Sequence, residues 1–175
     1  MSAEKRIKMA IVGLDNAGKS TILLTLQRQA GLQDFTKLQP TKGLQTEQFT
    51  TDDNVYNVWD FGGQSKYRES YLQKPEYFAE TDKVIFVIDI QDKERFEVAL
   101  KYLEEILEIM KKNGIKCEYS IFLHKFDPEL LESEEYQERS QNLRKKLRQL
   151  FKNYQFQVKV FHTSIYTIFQ RIQVM

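Results

Sequence analysis

Residues 9–20 read Met9-Ala10-Ile11-Val12-Gly13-Leu14-Asp15-Asn16-Ala17-Gly18-Lys19-Ser20. The first four residues suit a buried strand, and the last eight match G-x-x-x-x-G-K-[ST]. Beyond Thr21 the run Ile22-Leu23-Leu24-Leu26 begins a helix. Glycines let the backbone turn tightly enough for successive N–H groups to point inward at phosphate oxygens, and the helix N-terminus adds its dipole. Asp15, Asn16, Ala17, Gly18, Lys19, Ser20 and Thr21 are the candidate phosphate contacts. Lys19 supplies a full charge to β- and γ-phosphates, and the Ser20 hydroxyl is placed to ligate Mg²⁺. Average residue frequencies give about a 1% chance of one such match in a chain of this length, and the strand-and-helix setting lowers it several-fold.

The same alternation continues outward. Strand candidates are Ile7 to Val12, Val55 to Trp59, Lys83 to Ile88, Tyr119 to Leu123 and Val158 to Phe161, all short and β-branched or aromatic. Runs apolar on both faces suit parallel strands covered on either side. Leu44 to Thr50 alternates polar and apolar residues, and Asp52-Asp53-Asn54 predicts a turn that pairs it antiparallel with Val55–Trp59. Phe96, Leu100, Leu103, Leu107 and Met110 recur at helical spacing, with Asn113-Gly114 as the stop. A second amphipathic helix carries Leu143, Leu147, Leu150 and Phe151 and opens near Ser133. These elements predict an α/β three-layer sandwich: a six-stranded, mostly parallel sheet with helices on both faces, in one domain over residues 1–175.

Composition narrows the function. A chain of 175 residues should bury roughly 70% of its unfolded surface, enough for a core without staples. One cysteine excludes an internal disulfide or a cysteine-based metal site and fits a reducing cytosol. With 26 basic and 25 acidic residues there is no global electrostatic case for nucleic acid or an anionic membrane. The basic run Arg144-Lys145-Lys146-Leu147-Arg148 and the acidic stretch 129–138 read as solvated surface. The ends show no secretory signal, no N-myristoylation glycine after Met1 and no prenylation cysteine, and no apolar run approaches the ~20 residues of a membrane span. A cytoplasmic protein without an intrinsic membrane anchor is expected.

Asp60 follows Val55-Tyr56-Asn57-Val58-Trp59 and opens Asp60-Phe61-Gly62-Gly63-Gln64. A carboxylate at a strand end beside the phosphate loop is placed to hold Mg²⁺, directly or through water. Gly63 leaves its N–H free to reach a γ-phosphate. Gln64 can orient an attacking water, because its amide both donates and accepts.

The loop Gly-Leu-Asp-Asn-Ala-Gly-Lys-Ser, the segment Trp-Asp-Phe-Gly-Gly-Gln and residues 77–89, Tyr-Phe-Ala-Glu-Thr-Asp-Lys-Val-Ile-Phe-Val-Ile-Asp, resemble Ras-superfamily small GTPases over nearly the whole chain. The Arf-like and Rag/Gtr-like branches are the nearest in pattern. The resemblance implies a GTP/GDP switch with Mg²⁺, in which two loops are ordered by the γ-phosphate and released after hydrolysis. It also implies effector, exchange-factor and activating proteins, and leaves homo- and heterodimers open. Thr41, in Pro40-Thr41-Lys42-Gly43, matches the threonine that closes over the metal.

His124-Lys125-Phe126-Asp127 resembles the family's guanine motif Asn-Lys-x-Asp. There the carboxylate accepts hydrogen bonds from guanine N1–H and the 2-amino group, whereas adenine would leave it largely unpaired. The Lys125 stem packs over base and phosphate-loop backbone. His124 replaces the usual asparagine, as in Rag/Gtr-like proteins. Thr163-Ser164-Ile165-Tyr166 resembles the Rag-type base-clamping loop, which nominates Ser164 and Ile165. The chain thus stands between two branches.

Only about six residues precede Ile7, too few for the amphipathic helix that Arf proteins place there, so membrane recruitment of that kind is not expected, nor is dimerisation through a second domain of the Rag kind. Asp15 stands where many Ras-like proteins carry glycine and adds negative charge beside the γ-phosphate, which predicts slow turnover without an activating protein. Tyr67 and Tyr71 of the second switch suit exposed partner anchors and core packing about equally well. Two other readings stay open: a pseudo-GTPase that binds nucleotide with little turnover, and a P-loop kinase or ATPase, against which Asp127 argues.

Overall fold

A computed structural model of the chain describes residues 5–26, 39–51 and 54–165. Strands β1 (Lys5–Gly13), β2 (Leu44–Thr51), β3 (Asn54–Phe61), β4 (Lys83–Asp89), β5 (Glu118–His124) and β6 (Val158–His162) form one sheet in the order β2-β3-β1-β4-β5-β6. Only β2 runs antiparallel to its neighbour, with Thr46 opposite Trp59 and Phe49 opposite Tyr56. Helices α1 (Lys19–Leu26), α2 (Ser65–Leu72), α3 (Phe96–Lys112) and α4 (Glu134–Tyr154) connect the strands, with short 3₁₀ turns at 75–78, 93–95 and 128–130.

Strand periodicity divides the core. Ala10, Val12, Val84, Phe86 and Ile88 face one side and pack with Leu103, Leu107, Leu143, Leu147 and Phe151 of α3 and α4. Met9, Ile11, Ile85 and Val87 face the other side and pack with Ile22 and Leu23 of α1. Two-sided burial explains why β1 and β4 are nearly continuous apolar runs. Arg144, Lys145, Lys146 and Arg148 are exposed while Leu147 is fully buried, so the basic run is the wet face of α4.

One expectation needs correction, and one open alternative is decided. The strand expected to end at Trp59 continues through Asp60 and Phe61, because Gln45 and Leu44 of β2 pair opposite them. Tyr71 is core rather than surface, 2% exposed, with its ring edge-on to Phe61 at 4.9 Å. Phe61 in turn stacks on Phe78 at 5.2 Å, so aromatic packing anchors α2, the core alternative of the two left open by the sequence. Tyr67 is half-buried. The Asp52-Asp53 turn, Tyr166 and the terminal segments lie outside the described residues.

Candidate functional site

The chain leaves β1 toward β3 on one side of the sheet and β4 on the other. Such a reversal of strand order opens a crevice at the carboxyl ends of the parallel strands. Gly13, Asp89 and His124 end β1, β4 and β5 there, Asp60 is the penultimate residue of β3, and Thr163 follows β6.

Asn16 and Gly18 adopt left-handed φ values of 61° and 94° in the loop, and the first α1 bond runs from Ile22 N–H to Gly18 O at 3.0 Å. The preceding amides at the helix start have no intrahelical acceptor, which suits them to an anion. Lys19 is 5% exposed and donates to Leu14 O at 2.8 Å and Gly13 O at 3.2 Å. Burial lowers its pKa to about 8, while Asp60 and Asp15 pull it back up.

Ser20, Thr41 and Asp60 converge from three elements. Asp60 Oδ2 accepts from Thr41 Oγ1 at 2.9 Å and from Ser20 Oγ at 3.1 Å, and the two hydroxyls lie 2.8 Å apart. Asp60 Oδ1 is buried with no hydrogen-bond partner. Burial raises the Asp60 pKa, opposed by the Thr41 bond and the Lys19 charge. An orphaned carboxylate oxygen is costly. Beside two hydroxyls it forms the all-oxygen donor set that a hard cation such as Mg²⁺ prefers, so the residues fit that ion.

Segment 62–64 closes onto this cluster. Gly62 N–H donates to Gly43 O at 3.0 Å. A Cβ on Gly63 would fall 2.1 Å from Asp15 N and 2.2 Å from Leu14 C, so only glycine permits this approach to the phosphate loop. Gln64 forms one wall of a cleft of about 340 Å³ that also holds Asp15, Lys19, Ser20, Thr21 and Thr41. Ala17 is buried in the core beneath that loop.

The base-reading candidates gather beyond the loop rather than in this cleft. Lys125 (φ 58°) donates from Nζ to Asn16 O at 2.8 Å and pairs with Asp89 at 2.7 Å. His124 Nδ1 lies 2.9 Å from Thr163 Oγ1, and Ser164 Oγ donates to Asp127 Oδ1. Ile165 packs against the core cluster that contains Ala17.

Several participants went unnoticed in the sequence. Gln39 and Pro40 line the cleft. Arg68 donates from Nε to Gly63 O at 3.0 Å. Arg95 holds Asp15 twice, through the carboxylate and the backbone oxygen, each at 3.0 Å, and also bonds Asp92 at 2.5 Å. Asp15 is therefore neutralised from within the chain, which the expectation of added negative charge at the loop did not foresee. No local pattern marks Arg95, because its loop partner lies 80 residues away.

Comparison with known proteins fits this geometry. The model of the ADP-ribosylation factor family matches residues 1–170. ADP-ribosylation factor F of Dictyostelium discoideum is 35% identical over 124 residues, covering 71% of this chain and 62% of that protein. ADP-ribosylation factor-like protein 1 of Saccharomyces cerevisiae is 38% identical over 106 residues, covering 61% of this chain and 54% of that protein. The matches thus span less than two thirds of these relatives' lengths. Among solved structures, the Arl6 BBS3 small GTPase from Trypanosoma brucei with bound nucleotide analogue GppNp superposes with TM-score 0.71 at 24% identity, covering 91% of this chain and 87% of that one. At that identity the likeness bears on the fold.

Proposed function

The chain belongs to the ADP-ribosylation factor family of small GTPases, and on that premise we propose that it is a GTP-binding switch that hydrolyses GTP to GDP and phosphate. The observation that carries the reading is the convergence of Ser20, Thr41 and Asp60 beside Lys19, with Asp60 Oδ1 left unpaired. Amides at the start of α1 and the Lys19 ammonium cradle the phosphates. Ser20, Thr41 and Asp60 would hold Mg²⁺, which when bound would neutralise phosphate charge.

Gly63 presents its N–H toward the phosphate end of the cleft, and Gln64 orients a water for in-line attack on the γ-phosphorus. The bond from that phosphorus to the β–γ bridging oxygen breaks, GDP leaves with the electron pair, and the water's proton goes to the released phosphate. Asp127 accepts from guanine N1–H and the 2-amino group, with Lys125, His124, Ser164 and Ile165 shaping the base pocket. Thr41 and Gly62–Gln64 sit on the two segments that respond to the γ-phosphate. Activating, exchange and effector proteins act on the two states in the cytoplasm. Among the described residues no helix is long and apolar enough to cross a membrane.

The direct test is to denature the purified protein and identify the released nucleotide by chromatography. GDP or GTP is expected. An adenine nucleotide, or ADP competing equally with GDP, would refute the reading.

A further inference from the structure

The segment between β4 and α3 touches both halves of the site. At its far end Arg95 grips Asp15 of the phosphate loop. At its near end Gln91, fixed by its own N–H to Asp89 Oδ1 at 2.9 Å, reaches the base-reading loop. Its Nε2 donates to Lys125 O at 2.8 Å and to Asp127 Oδ2 at 3.2 Å.

We propose that Gln91 is a positioning residue for base selection, its amide fixing the Asp127 carboxylate in the plane that reads guanine. The inference rests on the guanine-nucleotide reading above and deepens it. The terminal torsion of an aspartate is broad and two-fold, so its plane is set by its partners. Here the partners sit on opposite oxygens: Ser164 Oγ on Oδ1 and Gln91 Nε2 on Oδ2. An ionised carboxylate offers about four acceptor sites. Two donors from the protein leave two, the number that guanine N1–H and the 2-amino group require. The second Gln91 bond steadies the Lys125 peptide, whose left-handed φ of 58° is unfavourable for a residue with a Cβ. Lys125 has further ties to Asp89 and Asn16, so loss of Gln91 leaves the loop anchored and frees mainly the carboxylate.

The test measures GDP, inosine diphosphate and ADP affinities with Mg²⁺ for the native chain and for Gln91→Met, which keeps the length and removes the donor. Inosine lacks the 2-amino group, so the GDP-to-inosine preference reports the orientation of Asp127. Gln91 is exposed, and a melting curve of the nucleotide-free Gln91→Met variant that stays cooperative shows that the fold is retained. The GDP-to-inosine preference is expected to fall roughly threefold to tenfold, the range of one net hydrogen bond. In an Asp127→Ala background the same replacement should leave the preference unmoved. If the native chain prefers GDP over ADP but Gln91→Met weakens GDP and inosine diphosphate equally, or neither, the positioning role is overturned. If the native chain does not prefer GDP over ADP, the guanine reading fails first and the inference falls with it.

Discussion

The His124 ring lies against Gly18 so closely that a Cβ on Gly18 would stand 2.4 Å from His124 Cδ2 and 2.7 Å from Nε2. The phosphate loop and the end of β5 are therefore in contact through an imidazole and a missing side chain. Gly18→Ala should destabilise the protein by about 1–3 kcal/mol, from both the contact and the φ of 94°. Adding His124→Asn should recover the part due to crowding and leave the backbone part. Denaturant melts of the two single variants and the double variant separate the contributions; strict additivity would contradict the contact.

Asp60 invites a comparison of stability with ligand affinity. Burial raises its carboxyl pKa, so the folded state keeps a proton that the unfolded chain has already lost, and stability falls as pH rises above 3.8 through that window. Asp60→Asn should therefore leave the metal-free protein as stable or slightly more stable. The same change should abolish the gain in melting temperature that Mg²⁺ and GDP together produce. A loss of stability without ligand would mean that the carboxylate is structural.

Gln64 caps α2 only with its backbone, accepting from Tyr67 and Arg68 N–H at 3.0 and 3.1 Å. Its side chain is free for chemistry. Gln64→Leu should keep GTP affinity and slow single-turnover hydrolysis by about a hundredfold, the lower end of what a positioned polar group contributes. Unchanged turnover would discard the assigned role and favour a binding module that scarcely hydrolyses.

Acid should destabilise the fold through its two histidines. Burial, helped by Lys125 and Arg144 respectively, lowers the pKa of His124 and His162 from 6.5. Around neutral pH both rings are neutral whether the chain is folded or not. As pH falls through 6.5 the unfolded chain takes up protons that the folded one refuses, and stability drops until the folded pKa values are reached. Melting temperature should be lower at pH 5.5 than at 7.5. His162→Phe, which keeps the stack on Phe126 at 4.2 Å, should shrink the difference. Identical melting at both pH values would contradict this.

The sequence made legible what is local. The loop 13–20, the six strands and the stripe on α3 follow from periodicity and glycine placement, and the structure has them within a residue or two. Thr41 is nominated only by resemblance, because a loop threonine carries no local signal; its partners Asp60 and Ser20 lie 19 and 21 residues away. For Tyr71 the sequence leaves partner anchor and core packing open, because the eight residues of α2 are too short and too polar to declare a buried face. Gln91 and Arg95 were silent for another reason: each acts on a residue far along the chain, Gln91 at a separation of 36 and Arg95 at 80.

The grip of Arg95 on Asp15 ties two positions into one unit of inheritance. A descendant that lost the arginine alone would set a bare carboxylate beside polyanionic ligand, while one that lost the aspartate alone would leave a guanidinium without its counter-charge. Lineages should therefore keep both or exchange both, and a solitary replacement at either place marks a molecule whose grip on nucleotide has already changed.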